Sequence, residues 1–298
     1  MTQLPEQPLP VAAIQAQATP GEVAENAAAV ARLIRQAAQH GARLAVFPEL
    51  FLPAYHPPVL LADPARCDLA ADENGVVDDP RLDPIREASQ RHDLVALVGA
   101  SVRRPDGARR CSALLADGSG AVRAAYDKQH LCGAHERELF SPGDQGCMIR
   151  VDSWLLGVGI CYDGCFPEHA RAVARAGAHG YLCPSAYVTG SQHRRDLYYR
   201  ARALDNTMYV VFANPVAGVD DWRFTGGAAV YDPQGRPVGK AADDGEAVVR
   251  VDLDPQQLSR TRAAQTMLAD RRDDLAPESV VVADTAPAGE RASIPRSG

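Results

Sequence analysis

Long apolar runs are missing from the chain, and no run approaches the ~18 residues needed to span a bilayer. Hydrophobic residues make up 46% and charged residues 23%, which is the balance of a soluble globular protein. The first ten residues, MTQLPEQPLP, contain no Lys or Arg and no long apolar core, so a secretory signal is not expected. These absences predict a soluble protein without a membrane partner, located by default in the cytoplasm.

An excess of positive charge is also missing, because the formal net charge is −7. Such a surface repels nucleic acid and anionic lipid. Small molecules are therefore the expected partners, and nucleic acid is not.

The cysteines lack any paired spacing, and their number, seven, is odd, so a disulfide framework is not expected. Cys161, Cys165 and His169 are four residues apart and would share a face of a continuous helix, where they could bind zinc. Pro167 and Gly164 interrupt that helix. We therefore expect no metal site.

The order of secondary structure predicts an α/β protein in which strands and helices alternate. We expect one domain over residues 1–282 and a tail without fixed structure at 283–298, where Pro, Ala and Ser dominate. Two segments without a clear period are expected to be loops, at 52–64 and 132–146. Predicted strands lie at 10–17, 43–47, 94–102, 111–116, 121–126, 155–160, 181–183, 209–214, 227–231 and 247–251, and predicted helices at 19–40, 80–91, 168–176 and 192–206.

One stretch, LLGVGICYDGCFPEHAR at 155–171, joins a buried strand to a helix. Pro167 and Glu168 mark the start of that helix. Cys161 lies between the two elements, at the carboxyl end of the strand, where α/β proteins usually hold their chemistry. A helix amino terminus and a nearby ammonium lower the pKa of a thiol, so we expect Cys161 to be a thiolate at neutral pH. The alternative is a small buried apolar residue without a chemical role.

Glu49 and Lys128 also follow predicted strands. With Cys161 they would form a set with a chemical logic: a thiol nucleophile, an ammonium that stabilises an oxyanion, and a carboxylate for proton transfer. A Cys-His pair is the rival set, with His130 or His169 as the base. Taken singly, a helix cap explains Glu49 and a solvated surface position explains Lys128.

Three blocks that read AVFPEL, YDKQHL and GICYDGCFPE carry these residues. In this order they resemble the blocks of the nitrilase superfamily of carbon-nitrogen hydrolases, whose triad is Glu-Lys-Cys. The stretch YYRARALDNTMYVVFANPVAG and the segment FTGGAAVYDPQG extend the resemblance over roughly residues 11–253.

The resemblance implies an α/β fold in the form of a four-layer αββα sandwich, with mixed sheets flanked by helices, and a homodimer or higher homo-oligomer without a cofactor. It also implies that Glu49 is the general base, Lys128 the lysine of the triad and Cys161 the nucleophile. Glu136, in the run ERELFSPG, matches a second glutamate beside the triad. The backbone N–H of Tyr162 is expected at the oxyanion. The expected substrate contacts are Tyr55, Cys165, Ser185, Ala186 and Tyr187.

The substrate branch stays open at this point. Ser141-Pro142-Gly143 and the segment 268–275 are similar to amidases that act on short ω-amino or ω-guanidino carboxamides. Cys165 departs from the Arg, Glu or aromatic residue of many relatives, at a position that affects substrate choice. We therefore expect hydrolysis of a small linear carboxamide of this type through a Cys thioester. N-carbamoyl amine or amino acid hydrolysis is the first alternative, and ω-amide hydrolysis of keto-acid amides or nitrile hydrolysis follows. A binding or scaffold protein without catalysis is the last, because such a protein is expected to lose a triad residue.

Overall fold

The computed structural model describes residues 3–272. Its strands are β1 (Leu9–Gln15), β2 (Leu44–Val46), β3 (Asp68–Ala70), β4 (Val95–Arg103), β5 (Arg109–Ala116), β6 (Val122–Asp127), β7 (Cys147–Val151), β8 (Trp154–Val158), β9 (Gly180–Pro184), β10 (Tyr209–Ala213), β11 (Val216–Val219), β12 (Trp222–Thr225), β13 (Ala229–Tyr231), β14 (Pro237–Lys240) and β15 (Ala247–Leu253). Its α-helices are α1 (Val23–Gln39), α2 (Pro57–Ala62), α3 (Pro64–Cys67), α4 (Asp83–His92), α5 (Gly133–Leu139), α6 (Pro167–Arg175), α7 (Gln192–Asn206), α8 (Pro255–Ala264) and α9 (Met267–Asp270). Short 3-10 helices span Pro80–Leu82 and Cys161–Cys165.

The strands form two mixed sheets and one hairpin. The first sheet has the order β15-β1-β2-β4-β5-β6, with β3 paired to β4. The second has the order β14-β13-β10-β9-β8-β7, and β11 pairs with β12 in a hairpin of two strands. Parallel pairs lie at the centre of each sheet and antiparallel pairs at the edges.

Strand β1 explains how the layers stack. Leu9, Val11 and Ala13 point into an apolar cluster shared with β8 and β10 of the second sheet, whereas Ala12 and Ile14 pack against α1 and α4. This alternation is the period of two that places successive side chains on opposite faces. Helices α6 and α7 cover the outer face of the second sheet in the same way. The result is helix, sheet, sheet, helix, which confirms the predicted αββα sandwich.

Most predicted elements occur within a few residues of their expected bounds, but the two predicted loops are wrong. The segment 52–64 contains α2, which begins with Pro57 at its first position and buries Leu60 completely. The segment 132–146 contains α5, which turns Glu136 and Leu139 inward. Both helices are short and lack an apolar period, so packing against the rest of the chain is what stabilises them.

The sequence did not predict five short strands, β3, β7, β11, β12 and β14. Within residues 3–272, no helix has the length and apolar character needed to cross a membrane. The predicted tail at 283–298 lies outside the described residues, as do the last three residues of the segment 268–275.

Candidate active site

Glu49 lies on the turn after β2, where its side chain is buried. Its backbone N–H donates to the carbonyl of Ser185 at 3.2 Å, which ties this turn of the first sheet to the end of β9 in the second. Gly99 in β4 allows the turn to pack closely, because a Cβ there would lie 2.3 Å from the Pro48 carbonyl oxygen. The carboxylate of Glu49 is thus held between the two sheets.

Lys128 directly follows β6 and is fully buried. Its Nζ donates to Glu49 Oε1 at 2.6 Å and to the two oxygens of Glu136 at 2.8 and 2.7 Å. Burial alone would lower the pKa of Lys128, but the negative charges of Glu49 and Glu136 outweigh it and hold the pKa well above its usual value. The two carboxylates therefore favour the charged ammonium form of Lys128.

Glu136 comes from the inner face of α5, beside Lys128 as the sequence predicted. Its Oε1 accepts the hydroxyl of Tyr55 at 2.7 Å, and its Oε2 accepts the backbone N–H of Cys132 at 2.8 Å. These donors orient the carboxylate toward the ammonium. The predicted substrate contact Tyr55 lies against it, and the Tyr55 ring packs on Trp222 and Phe224 of the β11–β12 hairpin.

Cys161 lies just beyond β8, at the first position of the 3-10 helix, with φ of 46°. Positive φ is rare for a residue with a side chain, and it persists only where the surroundings impose it. Strand β8 belongs to the second sheet, so the thiol approaches Glu49 and Lys128 from the opposite layer. A backbone hydrogen bond from Ala186, another predicted contact, acts to lower the pKa of the Cys161 thiol.

The surroundings of Cys161 disfavour the expected thiolate. Burial raises the pKa of the Cys161 thiol, the charge of Glu49 raises it further, and Lys128 only partly opposes them. The ammonium is already neutralised by two carboxylates, which the sequence reading did not weigh. Burial and the two carboxylates therefore favour the thiol form of Cys161, from which a base would have to take the proton.

Glu49 has the properties of a base for that proton. Burial raises its pKa to about 7, with Glu136 adding to the rise and Lys128 and the contact with Cys161 opposing it. One oxygen, Oε1, accepts from Lys128 and from the thiol of Cys111 at 3.6 Å. The other, Oε2, is buried and has no hydrogen-bond partner within residues 3–272. A carboxylate that titrates near neutral pH with one unpaired oxygen can take up a proton and return it.

The 3-10 helix also supplies a donor. Its first internal hydrogen bond runs from the N–H of Asp163 to the carbonyl of Ile160, so the N–H of Tyr162 precedes that bond. Such amino-terminal N–H groups are the ones that a helix leaves for other acceptors. This geometry suits an oxyanion formed next to Cys161.

The remaining predicted contacts lie around the second-sheet side of the site. The sulfur of Cys165 is 3.3 Å from the hydroxyl of Tyr187. The hydroxyl of Ser185 faces Tyr199, at 3.0 Å, and not Glu49. Ser185 therefore contributes its carbonyl to the Glu49 turn, whereas its side chain belongs to the packing behind the site.

The histidines of the rival set are engaged elsewhere. Both ring nitrogens of His169 are hydrogen-bonded, to the hydroxyls of Tyr126 and Tyr181 at 2.9 Å each. The Nδ1 of His130 lies 2.8 Å from Asp163, and its ring stacks on Phe166. The hydrogen bonds and ring stacking of these two histidines are therefore made with residues other than Cys161.

Two spaces adjoin the site. A cavity of about 20 Å³ borders Glu49 and Tyr55, which is room for about one water. A groove of about 540 Å³ lies on the outer side of α5, where Trp222, Glu138 and Asp221 line it. Within residues 3–272, no three His, Cys, Asp or Glu side chains are grouped to hold a metal ion.

Sequence reasoning missed Asp163 and Cys111 as parts of this site. Asp163 stands two residues after Cys161, within the block that was recognised, and this proximity was the available signal. Cys111 is far from the other residues in sequence, and only the pairing of β5 with β6 brings it near Lys128. No local pattern marked it.

Known proteins share both the sequence and the fold. The family model for carbon-nitrogen hydrolases matches residues 10–263. A Pseudomonas protegens protein described as "Hydrolase in pqqF 5'region" is 33% identical over 89% of this chain and 90% of its own length. An omega-amidase of Danio rerio is 30% identical over 85% of this chain and 91% of its own.

A solved structure of the NitN amidase from Nesterenkonia sp. AN1 superposes with a TM-score of 0.75 at 27% identity, covering 89% of this chain and 96% of that one. In one mutant form of the same amidase, the acetamide moiety of fluoroacetamide is bound covalently to the active-site cysteine.

Proposed function

The chain belongs to the carbon-nitrogen hydrolase family, and on that premise we propose that it hydrolyses a small linear carboxamide of the ω-amino or ω-guanidino type to the carboxylate and ammonia. The observation that carries the chemistry is the hydrogen-bonded set of Glu49, Lys128 and Glu136, with the Cys161 thiol facing it. Amide hydrolysis by a cysteine is the chemistry of its amidase relatives.

In the first half-reaction, Cys161 Sγ attacks the carboxamide carbon while Glu49 takes the thiol proton on Oε2. The resulting oxyanion is stabilised by the Lys128 ammonium and the N–H of Tyr162, each a donor of the kind typically worth ~10²–10³ in rate. The C–N bond then breaks, and Glu49 returns the proton to the departing ammonia. A thioester on Cys161 remains.

In the second half-reaction, Glu49 takes a proton from water, and the resulting hydroxide attacks the thioester carbon. The cavity beside Glu49 has room for such a water. The C–S bond breaks, Glu49 returns the proton to the Cys161 sulfur, and the product leaves as the carboxylic acid, which loses its proton to water to become the carboxylate. Glu136 does not react; it holds Lys128 in place and keeps it charged.

The preference for a cationic tail is supported by the groove on the outer side of α5. Glu138 and Asp221 line it, and no Lys or Arg is among its lining residues. Trp222 links this groove to the site, because its ring packs on Tyr55. A positively charged tail extending past Trp222 would meet two carboxylates there.

An ammonia-release panel of matched chain length tests the proposal. We expect kcat/KM to be highest for ω-amino or ω-guanidino amides, above ω-amides of keto acids, N-carbamoyl amines and nitriles. Glu138→Gln combined with Asp221→Asn should reduce kcat/KM for cationic amides by about tenfold and leave neutral amides unchanged. A higher rate on keto-acid amides would instead favour the second candidate, ω-amide hydrolysis, which the omega-amidase relative supports.

The cysteine mechanism has its own control. Cys161→Ala should bind amide yet release no ammonia, whereas Cys147→Ala, on the edge strand β7, should behave as wild type. Turnover by Cys161→Ala within about tenfold of wild type would contradict the mechanism.

We also propose a homodimer in the cytoplasm, with one catalytic domain over residues 1–282. The pairing of β1 with β15 supports a single domain, because it joins residues 9–15 and 247–253 in one sheet. The dimer is supported by exposed leucines on α7, at positions 197 and 204.

A further inference from the structure

The carboxylate of Asp163 lies at the third position of the 3-10 helix that starts with Cys161 and is fully buried. Its Oδ2 accepts the backbone N–H of Ile160 at 2.9 Å and the hydroxyl of Tyr126 at 2.8 Å. Its Oδ1 accepts the backbone N–H of His130 at 2.9 Å and the Nδ1 of the same residue at 2.8 Å. One carboxylate thus accepts hydrogen bonds from two segments that are far apart in the sequence.

Those segments carry the two reacting groups. Ile160 directly precedes Cys161, in the loop after β8 of the second sheet. Tyr126 and His130 stand two residues before and two after Lys128, at the end of β6 in the first sheet. Asp163 therefore bridges the sheets beside the place where the thiol must meet the ammonium.

The backbone of Cys161 needs such a restraint. Its φ of 46° is unfavourable for a residue with a Cβ and would relax without one. By accepting the N–H of the preceding residue, the carboxylate holds the turn in the conformation that points the thiol inward.

We propose that Asp163 is a positioning residue that sets the separation between the Cys161 thiol and the Lys128 ammonium by tying the nucleophile turn to the lysine segment. The inference rests on the proposed function, because Asp163 takes no part in the reaction and acts only by positioning Cys161 and Lys128. Tyr126 and His130 connect Asp163 to the lysine segment through their hydrogen bonds to its carboxylate.

The charge of Asp163 fits this role. Burial alone would raise the pKa of Asp163, but the hydrogen bonds from His130 and Ile160 and the positive charge of Lys128 hold it below its usual value. An ionised carboxylate accepts hydrogen bonds on both oxygens and donates none. An amide in its place would direct an NH₂ at donors on one side, so Asp163→Asn breaks the bridge with little change in shape.

Neighbouring rings complete the bridge. Tyr126 donates to Asp163 and accepts from His169 Nε2, and His169 Nδ1 in turn accepts from Tyr181. Burial lowers the pKa of His169, which keeps it neutral, as this direction of donation requires. The network thereby extends from β6 to β9, and it fixes the hydroxyl of Tyr126 toward Asp163.

His130 offers a matched pair of variants. His130→Asn and His130→Ala both lose the stacking on Phe166, whose ring centroid lies 4.0 Å away, and both keep the backbone N–H to Asp163. Only the asparagine keeps a donor at the distance of Nδ1 from the backbone. The two variants therefore differ in the side-chain hydrogen bond to Asp163. Comparing them separates the effect of this hydrogen bond from the effect of the lost stacking.

The experiment measures kcat, KM and Tm for His130→Asn, His130→Ala and Asp163→Asn, with Cys161→Ala as the reference for the mechanism. We expect Asp163→Asn and His130→Ala to lower kcat by at least about tenfold with KM within about threefold, and His130→Asn to recover kcat to within about threefold of wild type. The Tm of His130→Asn should lie above that of His130→Ala, because both lose the stacking on Phe166 and only the alanine also loses the side-chain hydrogen bond to the buried Asp163 carboxylate; both should remain folded at the assay temperature.

Equal kcat for the two His130 variants, or wild-type kcat in Asp163→Asn, would overturn the inference. If Asp163→Asn fails to fold, the comparison of the His130 variants decides alone. Ammonia release by Cys161→Ala would defeat the proposed function and this inference with it, whereas an inactive Cys161→Ala beside a fully active Asp163→Asn would defeat the inference only.

Discussion

Two buried carboxylates, Glu49 and Glu136, share the single ammonium of Lys128. The cluster therefore has more negative than positive charge when both carboxylates are ionised. Burial disfavours that state, and this is why the pKa of Glu49 rises to about 7. With a pKa near 7, Glu49 can take up the proton that the Cys161 thiol gives up in the proposed attack.

The first prediction at this scale is a pH profile. Glu49 accepts a proton only when ionised, so kcat/KM should fall about tenfold per pH unit below about pH 7 and level off above it. Ammonia release measured across this range checks the slope and the midpoint. A rate that keeps rising toward alkaline pH would instead indicate that ionisation of the Cys161 thiol limits the reaction.

The second prediction concerns Glu136→Gln, which preserves shape and removes one charge beside Lys128. We expect normal folding and continued formation of a covalent adduct at Cys161 with a reactive amide, but at least ~10²-fold slower turnover, the scale of one well-placed electrostatic group. Glu138→Gln, on the outer side of the same helix, is the matched control with a neutral amide. Near-normal ammonia release from Glu136→Gln would leave Glu49, Lys128 and Cys161 as the whole catalytic set.

At the scale of secondary-structure elements, short helices and strands supply several side chains of the site. Helix α5 supplies Glu136, and the β11–β12 hairpin supplies the ring of Trp222 that supports Tyr55. Neither element has the length or the periodicity to form alone. Contacts with the site stabilise each of these two elements. A substitution in one element should therefore disturb the site residues that the other element supplies.

Trp222→Ala tests this coupling. Loss of the ring removes the support of Tyr55, whose hydroxyl orients Glu136, and opens the wall between the site and the groove. We expect KM to rise and kcat to fall, each by about three- to tenfold, while Trp222→Phe stays near wild type. Val219→Ala, an exposed position on the same hairpin, is the control. Unchanged kinetics in Trp222→Ala would separate the hairpin from the site.

At the scale of the whole molecule, the two sheets meet face to face, and the site lies where their strand ends converge. Glu49 and Lys128 come from one sheet and Cys161 from the other. Any slide of one sheet against the other would separate the base from the nucleophile. The hydrogen bond from the Glu49 N–H to Ser185 and the bridge through Asp163 both oppose such a slide.

The prediction at this scale is the oligomeric state. Leu197 and Leu204 are 67% and 39% exposed and lie two turns apart on α7, so both present apolar surface on the outer side of that helix. Light scattering should give about twice the 31.8 kDa of the chain, and Leu197→Glu should shift the mass toward the monomer. Leu61→Glu, at a leucine of α2 that is 55% exposed, should remain dimeric. A monomeric wild type would rule out the proposed dimer.

The sequence by itself determined the alternation of strands and helices and the places of Glu49, Lys128 and Cys161 at strand ends, whereas the αββα sandwich followed from the resemblance of the three blocks to a known family. Local signals sufficed for these, because buried strands, helix starts such as Pro167 and the three blocks are written in consecutive residues. Even Glu136 could be placed near Lys128 from its block, although the segment that carries it was taken for a loop.

Only the tertiary structure decided the electrostatics of the site and the elements that enclose it. The charge of Lys128 lowers the pKa of the Cys161 thiol, as expected, yet burial and the carboxylates that share this ammonium raise the pKa by more. Helix α5, the hairpin with Trp222, the thiol of Cys111 and the bridge of Asp163 depend on contacts between residues far apart in the chain. Charge balance and burial are sums over such neighbours, and no stretch of consecutive residues contains them.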